Sequence, residues 1–296
     1  MARNIFLSVI IPVFNEEKNI KPLYLGLKKN LAGLGKNFEI IFVNDGSTDK
    51  SEKILKDICR KDQAVFGIGH RLGLGKAVAL GTGFDFARGE LIAMMDGDLQ
   101  DDPQEIPKFV KKILFGYDLV TGWRVKRQDS ASKIVTSRMM NFLISFLSGM
   151  KLHDFYCGLK CFRKEALGEL NLYGGLYRFI PILAYQNGLR ITELPVKHHH
   201  RKFGKSKYGG FKRFKRALTD MAIILFVIKY RRISPMVFSL WGAILFLLGS
   251  IAIIYHYLIV GLMVVGLGAL FLSIGFMANL TVKRQIAIER RRKDGE

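Results

Sequence analysis

"ELIAMMDGDLQDDP", Glu90 to Pro103, is an apolar run that ends in four aspartates: Asp96, Asp98, Asp101 and Asp102. A short continuous apolar run closed by turn residues reads as a strand buried on both faces. Three runs of the same form lie upstream: "FLSVIIPVF" from Phe6, "FEIIFVNDGSTD" from Phe38 and "AVFGIG" from Ala64. Helical patterns separate them. The first carries Leu23, Leu27, Leu31 and Leu34, the second spans Lys50 to Lys61, and the third is "GKAVALGTGFDFARG". Strand–helix alternation of this kind predicts an α/β domain with a Rossmann-like, mostly parallel sheet. Such sheets bind ligands outside the carboxyl ends of their strands. Three polar clusters fall there: "PVFNEE", "NDGSTD" and "DGDLQDD".

Alternate residues of an extended strand point the same way, so Asp96 and Asp98 are expected side by side. Two such carboxylates repel each other unless a cation sits between them. Mg²⁺ or Mn²⁺ suits that place, since hard ions take oxygen ligands and keep phosphates in their shell. Gly97 lets the backbone approach closely, and Gln100 offers a neutral amide oxygen. Asp101 and Asp102 are expected instead to begin the helix near Pro103, where acids suit the dipole. In "NDGSTD" a carboxylate can accept from a base or a ribose, and Ser47 to Asp49 can cap the next helix; both readings stand. "GLGKA", Gly73 to Ala77, fails the phosphate-loop pattern because His70 stands at the first glycine position and Ala77 follows the lysine. That argues against an NTPase. His198 to His200 splay to both faces of a strand, which points to phosphate or solvent. Cys157 and Cys161 have the spacing of one helix face, but no partner pair stands at zinc spacing. Three cysteines in all predict no disulfide framework.

The chain has 296 residues and a formal net charge of +21. Such an excess points to nucleic acid, anionic membranes or phosphorylated ligands. Distribution decides between them. Lys197 to Arg216 holds nine Lys or Arg, no acid, and four aromatics. It leads into two uncharged runs, Pro235 to Tyr255 and Leu258 to Leu280. A bilayer-spanning helix needs about 20 apolar residues, so a two-helix transmembrane hairpin is expected. The basic flanks "KYRRIS" and "KRQIAIERRRK" place both ends in the cytoplasm. The basic segment then reads as a membrane-surface element rather than a nucleic-acid site. Lys133 to Met150 fits an interfacial helix or a core helix equally. The glycines of "GLMVVGLG" permit helix packing, so a homo-oligomer is open.

The motifs "PVFNEE", "VNDGSTD", "MDGDLQDDP", "GWRVKR", "DFYCGLKCFR" and "RKFGKSKYG", in that order, resemble the family 2 glycosyltransferases of the polyprenyl-phosphate type. The resemblance covers Leu7 to Ile228. It implies a GT-A fold and inverting transfer of a hexose from a nucleotide-sugar to a polyprenyl monophosphate. UDP-glucose is the favoured donor, GDP-mannose the next. By the same resemblance Pro12, Phe14, Glu16, Val43 and Asp45 hold the nucleoside. Asp96, Gly97, Asp98 and Gln100 take the metal and diphosphate. Arg124, Arg127, Ser137 and Arg138 receive the acceptor phosphate. Arg201 and Lys207 close over donor and lipid, and Asp154 lies near the reacting centre. The helix-opening motif of the family is usually R-N-x-G; here it reads "RLGLGK".

This gives a cytoplasmic catalytic domain over 1–196, a basic loop and juxtamembrane helix over 197–233, two membrane spans over 234–282 and a basic tail over 283–296. The expected setting is the cytoplasmic face of the inner membrane, with membrane lipids as partners. The alternatives are a relative that uses UDP-N-acetylhexosamine and a non-catalytic, membrane-anchored binding module.

Overall fold

A computed structural model of the chain describes residues 4–125, 131–168, 177, 179–201, 203, 235–254, 257–273 and 276; side chains at 131–133, 136, 147, 167–168 and 235–238 are outside that description. Arg127, Lys207 and the tail over 283–296 lie outside the described residues. The chain divides into two compact units, Met1–Ile224 and Leu225–Glu296.

In the first unit the order is β1 (Leu7–Val13), α1 (Glu17–Ala32), β2 (Phe38–Asp45), α2 (Ser51–Lys61), β3 (Val65–His70), α3 (Lys76–Phe86) and β4 (Leu91–Met94). There follow α4 (Ile106–Leu114), β5 (Leu119–Arg124), α5 (Ala131–Ser148), β6 (Lys160–Arg163), α6 (Lys164–Gly168), α7 (Ile180–Gln186) and β7 (Ile191–Val196). The seven strands form one sheet in the order β3-β2-β1-β4-β6-β5-β7. β1 runs parallel to β2 and β4, β2 to β3, and β5 to β7. β6 is antiparallel to both of its neighbours, β4 and β5.

The apolar runs are continuous because both faces of the sheet are covered. Leu7, Val9, Ile11 and Val13 of β1 pack on one side with Leu23, Leu27 and Leu31 of α1 and with Phe109 of α4. Ile10 faces the other side with Ile41, Val43, Ala79, Leu80 and Ile180. Alternation with period two thus feeds two cores from each strand. A buried polar cluster interrupts the pattern between β1 and β2. Glu39, fully buried on β2, accepts from Ser8 Oγ (2.6 Å) and from the Arg88 guanidinium (2.6 and 3.0 Å).

Two sequence expectations change here. β4 stops at Met94, and Leu99 has φ 61°, so Asp96 and Asp98 stand in a turn rather than at alternate strand positions. Cys161 lies on β6 and Cys157 in the loop before it, so the two share no helix; both are buried.

In the second unit a 20-residue uncharged helix, Pro235–Ile254, is followed by a helix over 258–273. Among the described residues no helix is long and apolar enough to cross a membrane. The two helices pack through glycines seven apart. A Cβ at Gly242 would stand 2.7 Å from Leu272 N, one at Gly249 2.6 Å from Val265 N, and one at Gly268 2.6 Å from Phe246 N. The "GLMVVGLG" glycines at 261 and 268 are therefore used inside the hairpin, while a Cβ at Gly266 meets open space.

Candidate active site

The carboxyl rim of the sheet carries the chemistry. After β1 the chain turns through Asn15, at φ 54°. Its N–H donates to Ser47 Oγ (2.9 Å) and its Oδ1 accepts from Thr48 N (2.7 Å). These bonds lock "PVFNEE" to "NDGSTD". Glu16 is buried and accepts from Arg201 Nη2 at 2.6 Å, so the basic chain after β7 reaches back to the end of β1.

At the end of β2, Asp45 accepts from the N–H groups of Leu74 (2.9 Å) and Gly75 (2.8 Å) and lies 3.1 Å from His70 Nδ1. The loop over 71–75 therefore folds onto the turn. Gly46, at φ 70°, permits this, since a Cβ there would meet Gly73 N at 2.5 Å. Asp49 takes the capping role instead, accepting from Ser51 N (2.9 Å) and Glu17 N (3.1 Å). Of the two readings of "NDGSTD", capping falls to Asp49, and the Asp45 carboxylate, expected to accept from a base or a ribose, here accepts from the loop over 71–75.

After β4 the four aspartates separate. Asp96 is paired with the Lys76 ammonium, which also sits 5.7 Å from the Tyr177 ring. Burial works against the charge of Asp96, but Lys76 outweighs it and holds the carboxyl below the usual range. Asp98 lies 3.9 Å from Arg201 Nη1. Burial and then the charge of Asp96 push its carboxyl up to about 6. Asp102 caps the turn before α4 as expected, accepting from Gln104 N at 2.9 Å, and lies 3.2 Å from His199 Nε2. Asp101 departs from the expectation. It is buried and bridged to His198, and burial followed by the charge of Asp96 pushes it up to about 7. A Cβ at Gly158 would stand 3.0 Å from both Asp96 Cγ and Asp101 Oδ2, so both carboxylates converge on that glycine. Asp101 belongs to the cluster rather than to the helix start.

The opposite wall comes from β5 and the loop before β6. Arg124 at the end of β5 grips Asp154 through Nε (2.7 Å) and Nη2 (3.0 Å), a two-point pairing with little exposure on either side. Tyr156 N also donates to Asp154, at 3.2 Å. Lys160 is buried on β6 and donates to the carbonyls of Phe155 (3.4 Å) and Cys157. Burial lowers its pKa, and burial raises the Cys157 thiol to about 12, so that cysteine stays protonated.

Of the residues named from sequence, Glu16, Asp96, Asp98, Arg124, Asp154 and Arg201 form one connected rim. Gln100 joins it through its backbone: its N–H donates to Asp98 Oδ1 (3.2 Å) and its carbonyl accepts from His199 N (2.8 Å). At Gly97 the backbone approaches closely, since a Cβ there would stand 3.2 Å from Pro12 O. Phe14 is partly exposed beside the rim. The Val43 side chain is fully buried in the core, which leaves only its backbone at the strand end. Ser137 and Arg138 stand on α5. Lys76 and Lys160 were not named as site residues from sequence, while Asp101 was read as part of the helix start and His199 as facing phosphate or solvent. A lysine among the apolar residues of "GLKCF", Gly158 to Phe162, was the available signal for Lys160.

Hard carboxylate oxygens at Asp96 and Asp98 suit a divalent ion, and the guanidinium groups suit phosphate oxygens. Residues 8–170 match glycosyl transferase family 2. Dodecaprenyl-phosphate galacturonate synthase of Rhizobium johnstonii is 36% identical over 235 residues, 78% of this chain and 69% of the relative. Undecaprenyl-phosphate 4-deoxy-4-formamido-L-arabinose transferase of Edwardsiella ictaluri is 35% identical over 248 residues, 82% and 74% of the two chains. Glucosyl-3-phosphoglycerate synthase of Mycobacterium tuberculosis, solved with Mn²⁺, UDP-glucose and phosphoglyceric acid, superposes with a TM-score of 0.58 at 20% identity over 77% of this chain and 80% of that one. The fold of that enzyme is thus this fold, and the extent of the family match carries the rest: the chain belongs to glycosyl transferase family 2.

Proposed function

We propose that this glycosyltransferase moves a hexose from a nucleotide-sugar onto a polyprenyl monophosphate at a membrane surface, with inversion. The observation that carries the reading is the meeting, on one rim, of the Asp96 and Asp98 carboxylates with the Arg124 and Arg201 guanidinium groups. Relatives named for sugar transfer to dodecaprenyl and undecaprenyl phosphate support the acceptor class.

In this reading Asp96 and Asp98 hold Mg²⁺ or Mn²⁺. The raised carboxyl of Asp98 fits a site short of positive charge. When bound, the ion neutralises negative charge on the nucleoside diphosphate leaving group. The nucleoside lies at the ends of β1 and β2, near Pro12, Phe14, Glu16 and Asp45. Arg124, held rigid by Asp154, presents its remaining N–H groups to the acceptor phosphate. Arg127, Ser137, Arg138 and Lys207 complete the phosphate and lipid contacts. A phosphate monoester with a second pKa near ~6 is already ionised at neutral pH, so the nucleophile needs no strong base. Catalysis then rests on position and charge.

Membrane attachment is part of the proposal, with 1–196 as the catalytic domain, 197–233 as the basic loop and juxtamembrane helix, 234–282 as the hairpin and 283–296 as a basic tail. Val135, Met139, Phe142 and Phe146 are each more than half exposed on α5. Their spacing puts them on one helix face, while Met140 and Ile144 are buried on the other. A contiguous apolar stripe of that kind suits the headgroup boundary of a bilayer. The uncharged hairpin helices support the same setting.

UDP-glucose is the donor this reading favours. A UDP-linked uronic acid is a second reading, supported by the galacturonate in the name of the R. johnstonii relative. The test is transfer by the full chain in vesicles containing polyprenyl phosphate, with a panel of labelled nucleotide-sugars. The expected product is a lipid-linked sugar, absent with Asp98→Ala. Normal transfer by Asp98→Ala, or delivery of the sugar to a water-soluble acceptor instead, would overturn the reading.

A further inference from the structure

Lys76 opens α3 directly behind Gly75, whose φ of 95° sets the entry angle of the helix. Its ammonium lies on Asp96 Oδ1, the same carboxylate proposed above as an ion ligand. A third of its side chain is exposed, so the four-carbon stem has room to swing. Arg201 stands 3.9 Å from Asp98, a longer and looser approach, and is itself engaged by Glu16 at 2.6 Å. Lys76 is thus the cation most tightly placed on the acid pair among the described residues.

We propose that Lys76 is a tethered counter-cation that makes metal binding at Asp96 and Asp98 depend on the diphosphate of the donor. The inference rests on the metal reading given above. A divalent ion arriving alone meets a positive charge already seated on Asp96, and like charges a few ångströms apart in a half-buried site repel strongly. A nucleoside diphosphate changes the balance. It brings negative charge of its own and gives the ammonium a second partner, which frees Asp96 for the ion. Ion and nucleotide then bind cooperatively, and the coupling is reciprocal. The device keeps the acid pair neutralised between turnovers and reserves the ion for an occupied donor site.

The experiment measures Mn²⁺ affinity of the full chain by electron paramagnetic resonance, with and without UDP, for wild type, Lys76→Met and Lys76→Arg. Wild type is expected to bind Mn²⁺ weakly alone and at least roughly tenfold more tightly with UDP. Lys76→Met is expected to bind Mn²⁺ alone roughly tenfold more tightly than wild type, and its enhancement by UDP shrinks by a similar factor. Lys76→Arg, which keeps the charge, behaves as wild type. Thermal melting checks folding, and Lys76→Gln replaces the methionine variant if that one does not fold. An unchanged affinity for the ion alone in the neutral variants, with wild-type enhancement by UDP, overturns the inference while leaving the metal reading intact. No Mn²⁺ binding to wild type in either condition overturns both.

Discussion

The Arg124–Asp154 pair is the most demanding place to test the site as a physical object. Asp154→Asn keeps the shape of the side chain and removes its charge. The guanidinium, with 12% of its side chain exposed, then loses the anion that accepts two of its hydrogen bonds at 2.7 and 3.0 Å. Salt screens such a pair little, because water reaches neither partner well. Breaking a buried pair from one side costs about 3–5 kcal/mol. For a unit of this size each kcal/mol moves the melting midpoint by about 2–4 °C, so a drop of roughly 10 °C is expected. Arg124→Met alone strands the carboxylate and is expected to cost a similar amount. The double variant Arg124→Met/Asp154→Asn leaves no unpaired charge. It is expected to recover about 2 kcal/mol or more relative to the sum of the single losses. Thermal melting of the four proteins in the same detergent reads this directly. Additive single losses, with no recovery in the double variant, would refute the reasoning, because the two groups would then not be acting as a pair.

Gly158→Ala places a methyl group 3.0 Å from Asp96 Cγ and Asp101 Oδ2. It should cost about 1–3 kcal/mol in stability and lower sugar transfer by roughly tenfold or more by displacing the carboxylates; unchanged transfer would show that their placement is not critical. Asp101 supplies a pH test. Its folded carboxyl is raised to about 7, against about 3.9 in the unfolded chain. The folded protein therefore holds a proton that the unfolded chain releases. The stability it contributes is full below about pH 4 and is lost as pH rises through about 7, a loss of about 2–4 kcal/mol. Asp101→Asn should flatten that fall, gaining on wild type between pH 4.5 and pH 8 in ion-free buffer; parallel melting profiles would refute it.

The sheet was legible because burial on both faces forces strands to be continuous apolar runs; β1, β2 and β4 are of that kind, and the edge strand β3, partly exposed beyond Val65, still reads as an apolar run. The antiparallel β6 was not, because four residues such as "KCFR" carry no period and half of them are basic. At the site, the residue types were readable and their partners were not. Asp96 and Asp98 stand out as acids in a basic chain, yet their closeness comes from a turn through Leu99 rather than from strand alternation. Asp101 was read as a cap because acids before a proline usually are; only the packing against Gly158 reveals its other role. Lys76 was hidden inside a failed phosphate-loop pattern, although its position behind Gly75 is what brings it to Asp96. Asp45 was named from resemblance to bind a base, and its oxygens hold the loop over 71–75, which no local pattern announces.

The reversed strand β6 has a further consequence. β5 leaves the sheet at Arg124, and the chain re-enters at Lys160, which pairs with both Met94 and Thr121. Exit and entry of the whole segment over 125–159 therefore lie on the same rim, a strand's width apart. A detour that starts and ends at one place can be lengthened at a cost that grows only with the logarithm of its length. The segment that carries α5 can thus be lengthened without disturbing the pairing of β1, β2 and β4. On the function proposed above, the side assigned to the acceptor can diversify while the side assigned to the donor stays fixed.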